Sequence, residues 1–196
     1  MSSGKKILLR IYFIICVLFV LDCLLYYFKE ISLRGYYSDV ILSWLWLISN
    51  FVIIIVFWKN LMAKLLLAAI TITFAISIMA MMMPFFALLL SSTSLGLYQN
   101  KDLNKNYRAQ IVGYSAMGHP WLEVIEKKGI LEKRIFKCTD YQLMDKNLDI
   151  KIRTAKDIIF KNETDSTLTL TLFYGGPNKT ITFNKNTGNI IAIKKL

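Results

Sequence analysis

Three apolar runs, residues 7–28, 40–58 and 65–90, fill most of the first 91 positions and are separated by hinges of eleven and six residues. A bilayer crossing takes roughly 17 to 25 apolar residues, so each run is long enough to be one helix across hydrocarbon. Charges are correspondingly scarce there: Lys5, Lys6, Arg10, Lys29, Arg34, Lys59 and Lys64, with Asp22, Glu30 and Asp39 as the acids. The mean hydropathy of +0.46 and the 55% apolar content are therefore concentrated in one half. The 105 residues that follow are polar and hold most of the charged side chains. This distribution argues against a soluble single-domain enzyme, a disordered chain, a collagen-like repeat and a disulfide-rich miniprotein. It predicts an α+β membrane protein: a three-helix transmembrane domain at 1–91, a linker at 92–106, and a small antiparallel β-rich extramembrane domain at 107–196.

Basic residues in short flanks set orientation. Lys5, Lys6, Arg10, Lys59 and Lys64 lie on one side of the bilayer and Lys29 and Arg34 on the other, which predicts a cytoplasmic N-terminus and an extracytoplasmic C-terminal domain. The first run is too long for a signal-peptide core and no A-x-A-like site follows it, so it reads as a retained anchor. Neither Cys16 nor Cys23 follows the small residue of a lipoprotein site, and Cys138 has no partner cysteine in the polar half.

Within the membrane half, Ala69, Thr73 and Ser77 recur every four residues. Small-xxx-small spacing lets helix backbones approach closely; packing inside a three-helix bundle is the expected use and a homo-oligomer interface the alternative. Asn50 sits near the middle of the second run, where lipid offers an amide no partner, and is expected to bond a hydroxyl such as Thr73 or Ser77. Asp22 is the acid at greatest depth, and an ionised carboxylate there is costly. Its local explanations are protonation, a hydrogen bond from Ser43 or Ser91, or reaching out to the interface; its functional one is contact with a cation on a partner or with an ion. The absence of further intramembrane charges, of internal repeats and of any Gly between Gly35 and Gly96 disfavours a transporter or channel.

The polar half reads chiefly with period two. Leu148, Ile150 and Ile152 alternate with Asp149, Lys151 and Arg153; Leu168, Leu170 and Leu172 alternate with threonines; Ile181 and Phe183 alternate with Thr180 and Thr182. Turn residues at 175–178 and 186–188 make 148–194 an antiparallel meander. Strands are also expected at 107–114, 121–127 and 130–138, with a short helix at 141–147. This half carries +7 of the net charge of +11, which suits anionic headgroups or an acidic partner. Nucleic acid is not expected, because the lysines are scattered and no binding motif is present.

His119 is the single histidine, with no second His or Cys at metal-ligand spacing, and no nucleophile elbow or phosphate loop occurs. No catalytic, cofactor or metal residues are assigned, and enzyme activity is not expected. Glu123 and Glu126 fall on opposite strand faces and do not form an acid and base pair. Tyr114, His119 and Trp121 form a candidate contact patch, since aromatics favour interface anchors; the plainer reading of His119 is a surface or packing residue. The expectation is a polytopic protein that acts by binding, as an accessory subunit of an envelope complex. Its alternatives are an immunity-type protein that neutralises a toxin at the membrane, or a membrane-bound sensor. The partners expected are the lipid bilayer and another envelope protein.

Overall fold

The computed structural model describes residues 3–80, 95–114, 119–143 and 151–195, with side chains of the third helix described through Ile76. The chain is α+β and divides into two compact units, one carrying the N-terminal helices and one beginning at Leu95.

In the helical unit, α1 (Ser3–Lys29) runs for 27 residues without burying one of them. A helix apolar all round needs either a core or a bilayer around it. After the short extended segment β1 (Ile31–Leu33), Gly35 at φ 91° reverses the chain into α2 (Tyr36–Val56). That helix starts before the apolar run because Asp39 in its first turn accepts the Leu33 amide at 3.2 Å and complements the N-terminal dipole. These two helices are long and apolar enough to cross a membrane, which points to membrane association. The third, α3 (Leu61–Ala80), opens immediately after Asn60. Lys64 therefore rides its first turn rather than the preceding hairpin. The described apolar part of α3, Leu61–Ile76, is shorter than a crossing, and positions 81–90 of the expected third run lie outside the described residues.

Helices α1 and α2 are fastened by Phe19 stacked on Trp46, centroids 4.6 Å apart, and by the Tyr12 hydroxyl donating to Asn50 Oδ1 at 3.0 Å. Asn50 Nδ2 in turn donates to the Trp46 carbonyl at 2.7 Å. The expectation that Asn50 joins helices is met, but by a different partner. Thr73 donates to its own helix at the Ala69 carbonyl, 2.8 Å away, the usual bond for a helical threonine, whereas a phenol on α1 reaches the amide. Ser43 likewise donates to the Val40 carbonyl at 2.8 Å. Trp46, Asn50 and Phe51 of α2 with Ala69, Ile70 and Thr73 of α3 border an apolar cavity of about 210 Å³.

In the second unit, β2 (Leu97–Asp102), β3 (Tyr107–Val112), β4 (Trp121–Lys128) and β5 (Leu131–Thr139) lie antiparallel in the order β5-β4-β3-β2. A single helical turn, α4 (Asp140–Leu143), and a 3-10 turn at Ile152–Thr154 lead to β6 (Asp157–Glu163), β7 (Thr167–Phe173), β8 (Lys179–Asn184) and β9 (Ile190–Lys195), paired in sequence order. Two expectations are corrected here. Part of the stretch read as a linker is strand β2. Of the strand read at 148–153, the described part is a 3-10 turn at Ile152–Thr154, because the buried Asp140 carboxylate accepts the Ile152 amide at 2.7 Å and holds the chain bent. Positions 144–150, and with them most of the expected helix at 141–147, lie outside the described residues.

The two sheets share one core. Leu168, Leu170 and Leu172 point inward while their threonine neighbours point out, and Phe136 of β5 stacks on Phe183 of β8 at 4.1 Å. Outside, Thr169 meets Thr182 at 2.9 Å and Thr171 meets Thr180 at 2.8 Å, cross-strand pairs that tie β7 to β8. The row Leu97, Val112, Trp121, Thr139 marks one end of the first sheet. The Gln99 amide donating to the Ala155 carbonyl at 2.9 Å, and Lys179 Nζ donating to the Leu143 carbonyl at 2.5 Å, bring the Asp157 and Lys179 ends of the second sheet to the same place. Leu95, where the unit begins, is also at this end.

Candidate functional site

The strand register assembles the aromatic residues. Trp121 opens β4 opposite Val112, the last residue of β3, so Tyr114 two positions further on comes edge-on to the indole with centroids 5.7 Å apart. The indole N–H donates to Glu123 Oε1 at 2.6 Å. Glu123 is only 2% exposed, and its carboxylate also receives the Gln110 amide and Arg134 Nη1, each at 3.0 Å. Three donors to one buried carboxylate fix the ring more firmly than packing alone. Lys137 of β5 stands over the same ring, 4.2 Å from its centroid, a cation–π contact.

Beneath this lies a buried polar layer on the outer face of β3 to β5. Arg108 pairs with Glu132, and its guanidinium also donates to Gln110 Oε1 at 3.1 Å. Arg108 Nε and Glu132 Oε1 have no hydrogen-bond partner among the described residues. As expected, Glu123 and Glu126 lie on opposite faces of β4: Glu123 is paired with Gln110 in this layer, while Glu126 is opposite Tyr107 of the core.

His119 precedes Trp121 but belongs to a second cluster. Its ring stands edge-on to Tyr141 at 5.6 Å, and Nδ1 lies 3.9 Å from Asp140 Oδ2. Asp140 is buried and holds the Ile152 amide, so this carboxylate orients two loops at once. Tyr141 is 71% exposed. Behind Asp140 are Cys138, whose thiol is pushed up to about 12 by burial and by the Asp140 charge, and Tyr174, whose hydroxyl is pushed up by burial. A thiol that stays protonated is no nucleophile. Among the described residues no group of three or more His, Cys, Asp or Glu is placed to hold a metal.

Tyr114, His119 and Trp121 therefore share one end of the β unit, Tyr114 with Trp121 and His119 with Tyr141. Asp22 belongs to α1 in the helical unit, while the Leu33 amide donates to Asp39 Oδ1 at 3.2 Å. Lys137 and Tyr141 were not singled out from the sequence. Lys137 could have been paired with Trp121 once β4 and β5 were put in register, whereas Tyr141 has no sequence signal. The chain matches no protein-family model, no curated protein and no solved structure.

Proposed function

We propose that this is a small polytopic membrane protein acting by binding, an accessory subunit of an envelope complex. In this reading the three N-terminal helices cross the bilayer, with the N-terminus in the cytoplasm and the β unit outside it. The observation that carries binding is the rigid aromatic surface: Trp121 held by Glu123 and capped by Lys137, with Tyr114 against it and exposed Tyr141 nearby. Aromatic rings fixed before contact lose little freedom on association, which is what interface anchors require. Ala69 and Thr73 border the cavity beside α2, which favours packing within one chain over a homo-oligomer.

Purification of the full chain in mild detergent, with mass spectrometry of co-purifying proteins, tests this. Trp121→Ala and Tyr141→Ala should accumulate normally and lose a protein that the unaltered chain retains. The same set of co-purifying proteins with both variants would contradict it.

A further inference from the structure

The end of the β unit that begins at Leu95 differs in charge from the opposite end. At the far end three acid–base pairs are described, Asp102 with Lys127 at 2.5 Å, Glu126 with Lys128 and Glu163 with Lys185, each at 3.0 Å, beside exposed Lys105, Lys133 and Asp165. At the near end, apart from Lys137 on the Trp121 surface, the exposed ionic residues among those described are the cations Lys151, Arg153, Lys156, Lys194 and Lys195. The acids described there are neutralised or hidden: Asp140 is 5% exposed, and Asp157 is bonded to Lys101 at 2.6 Å.

An aromatic ring lies among these cations: Arg153 stands over Tyr98, 5.0 Å from its centroid, and Tyr98 is itself 41% exposed. Leu95, 71% exposed, begins the unit at this end. Tyrosine and tryptophan prefer the headgroup level of a bilayer, and basic residues held close to it are drawn to anionic lipids.

We propose that the basic edge formed by Arg153, Lys156, Lys194 and Lys195, with Tyr98 beside it, docks on the headgroups of an anionic bilayer and holds the β unit against the membrane surface, leaving the Trp121 and Tyr141 patch to the protein partner. The proposal rests on the reading that the helices cross that bilayer. Its occupant is lipid rather than an acidic protein because the surface combines cations that have no ion pair among the described residues with Tyr98 and exposed Leu95, groups suited to the headgroup level.

Hydrogen exchange of the full chain in nanodiscs of phosphatidylcholine, compared with discs containing one third phosphatidylglycerol, tests it. Amides of 151–156 and 174–178 should exchange at least about fivefold more slowly in the anionic discs, and those of 129–130 at the far end should be unchanged. Arg153→Glu with Lys194→Glu and Lys195→Glu should abolish the difference, and the milder Arg153→Gln with Lys156→Gln should reduce it, with core amides of β7 protected as before. Equal exchange in both lipids, slowing at 129–130 instead, or a lipid effect that survives the charge reversal would overturn the docking. Alkaline extraction from vesicles separates the two readings. A chain that is stripped overturns both the crossing and the docking, whereas a retained chain with lipid-independent exchange overturns the docking alone.

Discussion

Removing one partner of the Arg108–Glu132 pair should cost far more than removing both. Glu132 and Arg108 are 2% and 6% exposed and lie on the outer face of the first sheet. Arg108→Met leaves a buried carboxylate without its counter-charge and without the guanidinium hydrogen bond, a loss of about 3 to 5 kcal/mol. The combined Arg108→Met and Glu132→Leu change removes both desolvated charges and replaces them with apolar volume. Arg108 Nε and Glu132 Oε1 have no hydrogen-bond partner among the described residues, so the native pair recovers only part of its desolvation. The double variant should accordingly lie within about 1 kcal/mol of the unaltered chain, or above it. Pulse proteolysis of the full chain in detergent across a urea series reads this directly, because the folded β unit resists cleavage. With a slope of about 1.5 kcal/mol per molar urea for a unit of this size, the single variant should lower the midpoint by at least about 2 M and the double by less than about 0.7 M. Equal losses in the two variants, or a single variant within 0.5 M of the unaltered midpoint, would refute the assignment of a buried, coupled pair.

Three further outcomes follow from the geometry. Cys138 is fully buried with its thiol raised to about 12, so in the folded chain it should resist iodoacetamide at about pH 8.5 and react only on unfolding; since the unfolded thiol loses its proton first, stability should fall as pH rises from about 8.5 toward the folded value. Gly188 has φ +68° and its added Cβ would meet the Ile135 carbonyl oxygen at 3.0 Å; Gly188→Ala should therefore cost about 1 to 3 kcal/mol, read as a lower urea midpoint. Asp22→Asn keeps size and hydrogen-bonding capacity while removing the charge, Asp22→Leu suits lipid better, and the Leu33 amide is held by Asp39 in either case, so both variants should accumulate with unchanged co-purifying proteins; loss of a co-purifying protein in both would instead make Asp22 a partner contact.

The elements that the sequence made legible are those whose environment has two clear sides. The Leu and Thr alternation of 168–172 is a strand with one face in the core, and it appears as β7 with the expected inward leucines. The first two apolar runs appear as α1 and α2 because length and composition alone suffice to define them. Strand β2 was illegible because Tyr98, Gln99, Asn100 and Lys101 show no apolar face; it is an edge strand held by β3. Strand β6 was missed because Ile158, Ile159 and Phe160 are consecutive, with Ile158 in the core and Ile159 on the outer, threonine-bearing face. Alternation at 148–153 misled because one buried side chain, Asp140, binds the Ile152 amide and overrides a local pattern. Candidate-site residues were legible as types but not as neighbours. Tyr114 and Trp121 come together through register, and the Tyr12 to Asn50 bond depends on the rotation of two helices about their axes, which apolar composition leaves open.

The central claim is that helices across a membrane present the β unit outside the cytoplasm. Gly176 lies in an exposed turn where an added side chain meets nothing within 4 Å, so Gly176→Cys places a thiol without disturbing the fold. Cys16 and Cys23 are replaced by serine, and buried Cys138 is left in place. A membrane-impermeant maleimide applied to intact cells should label this chain at position 176 before lysis. Labelling that appears only after lysis would put the β unit in the cytoplasm and contradict the account.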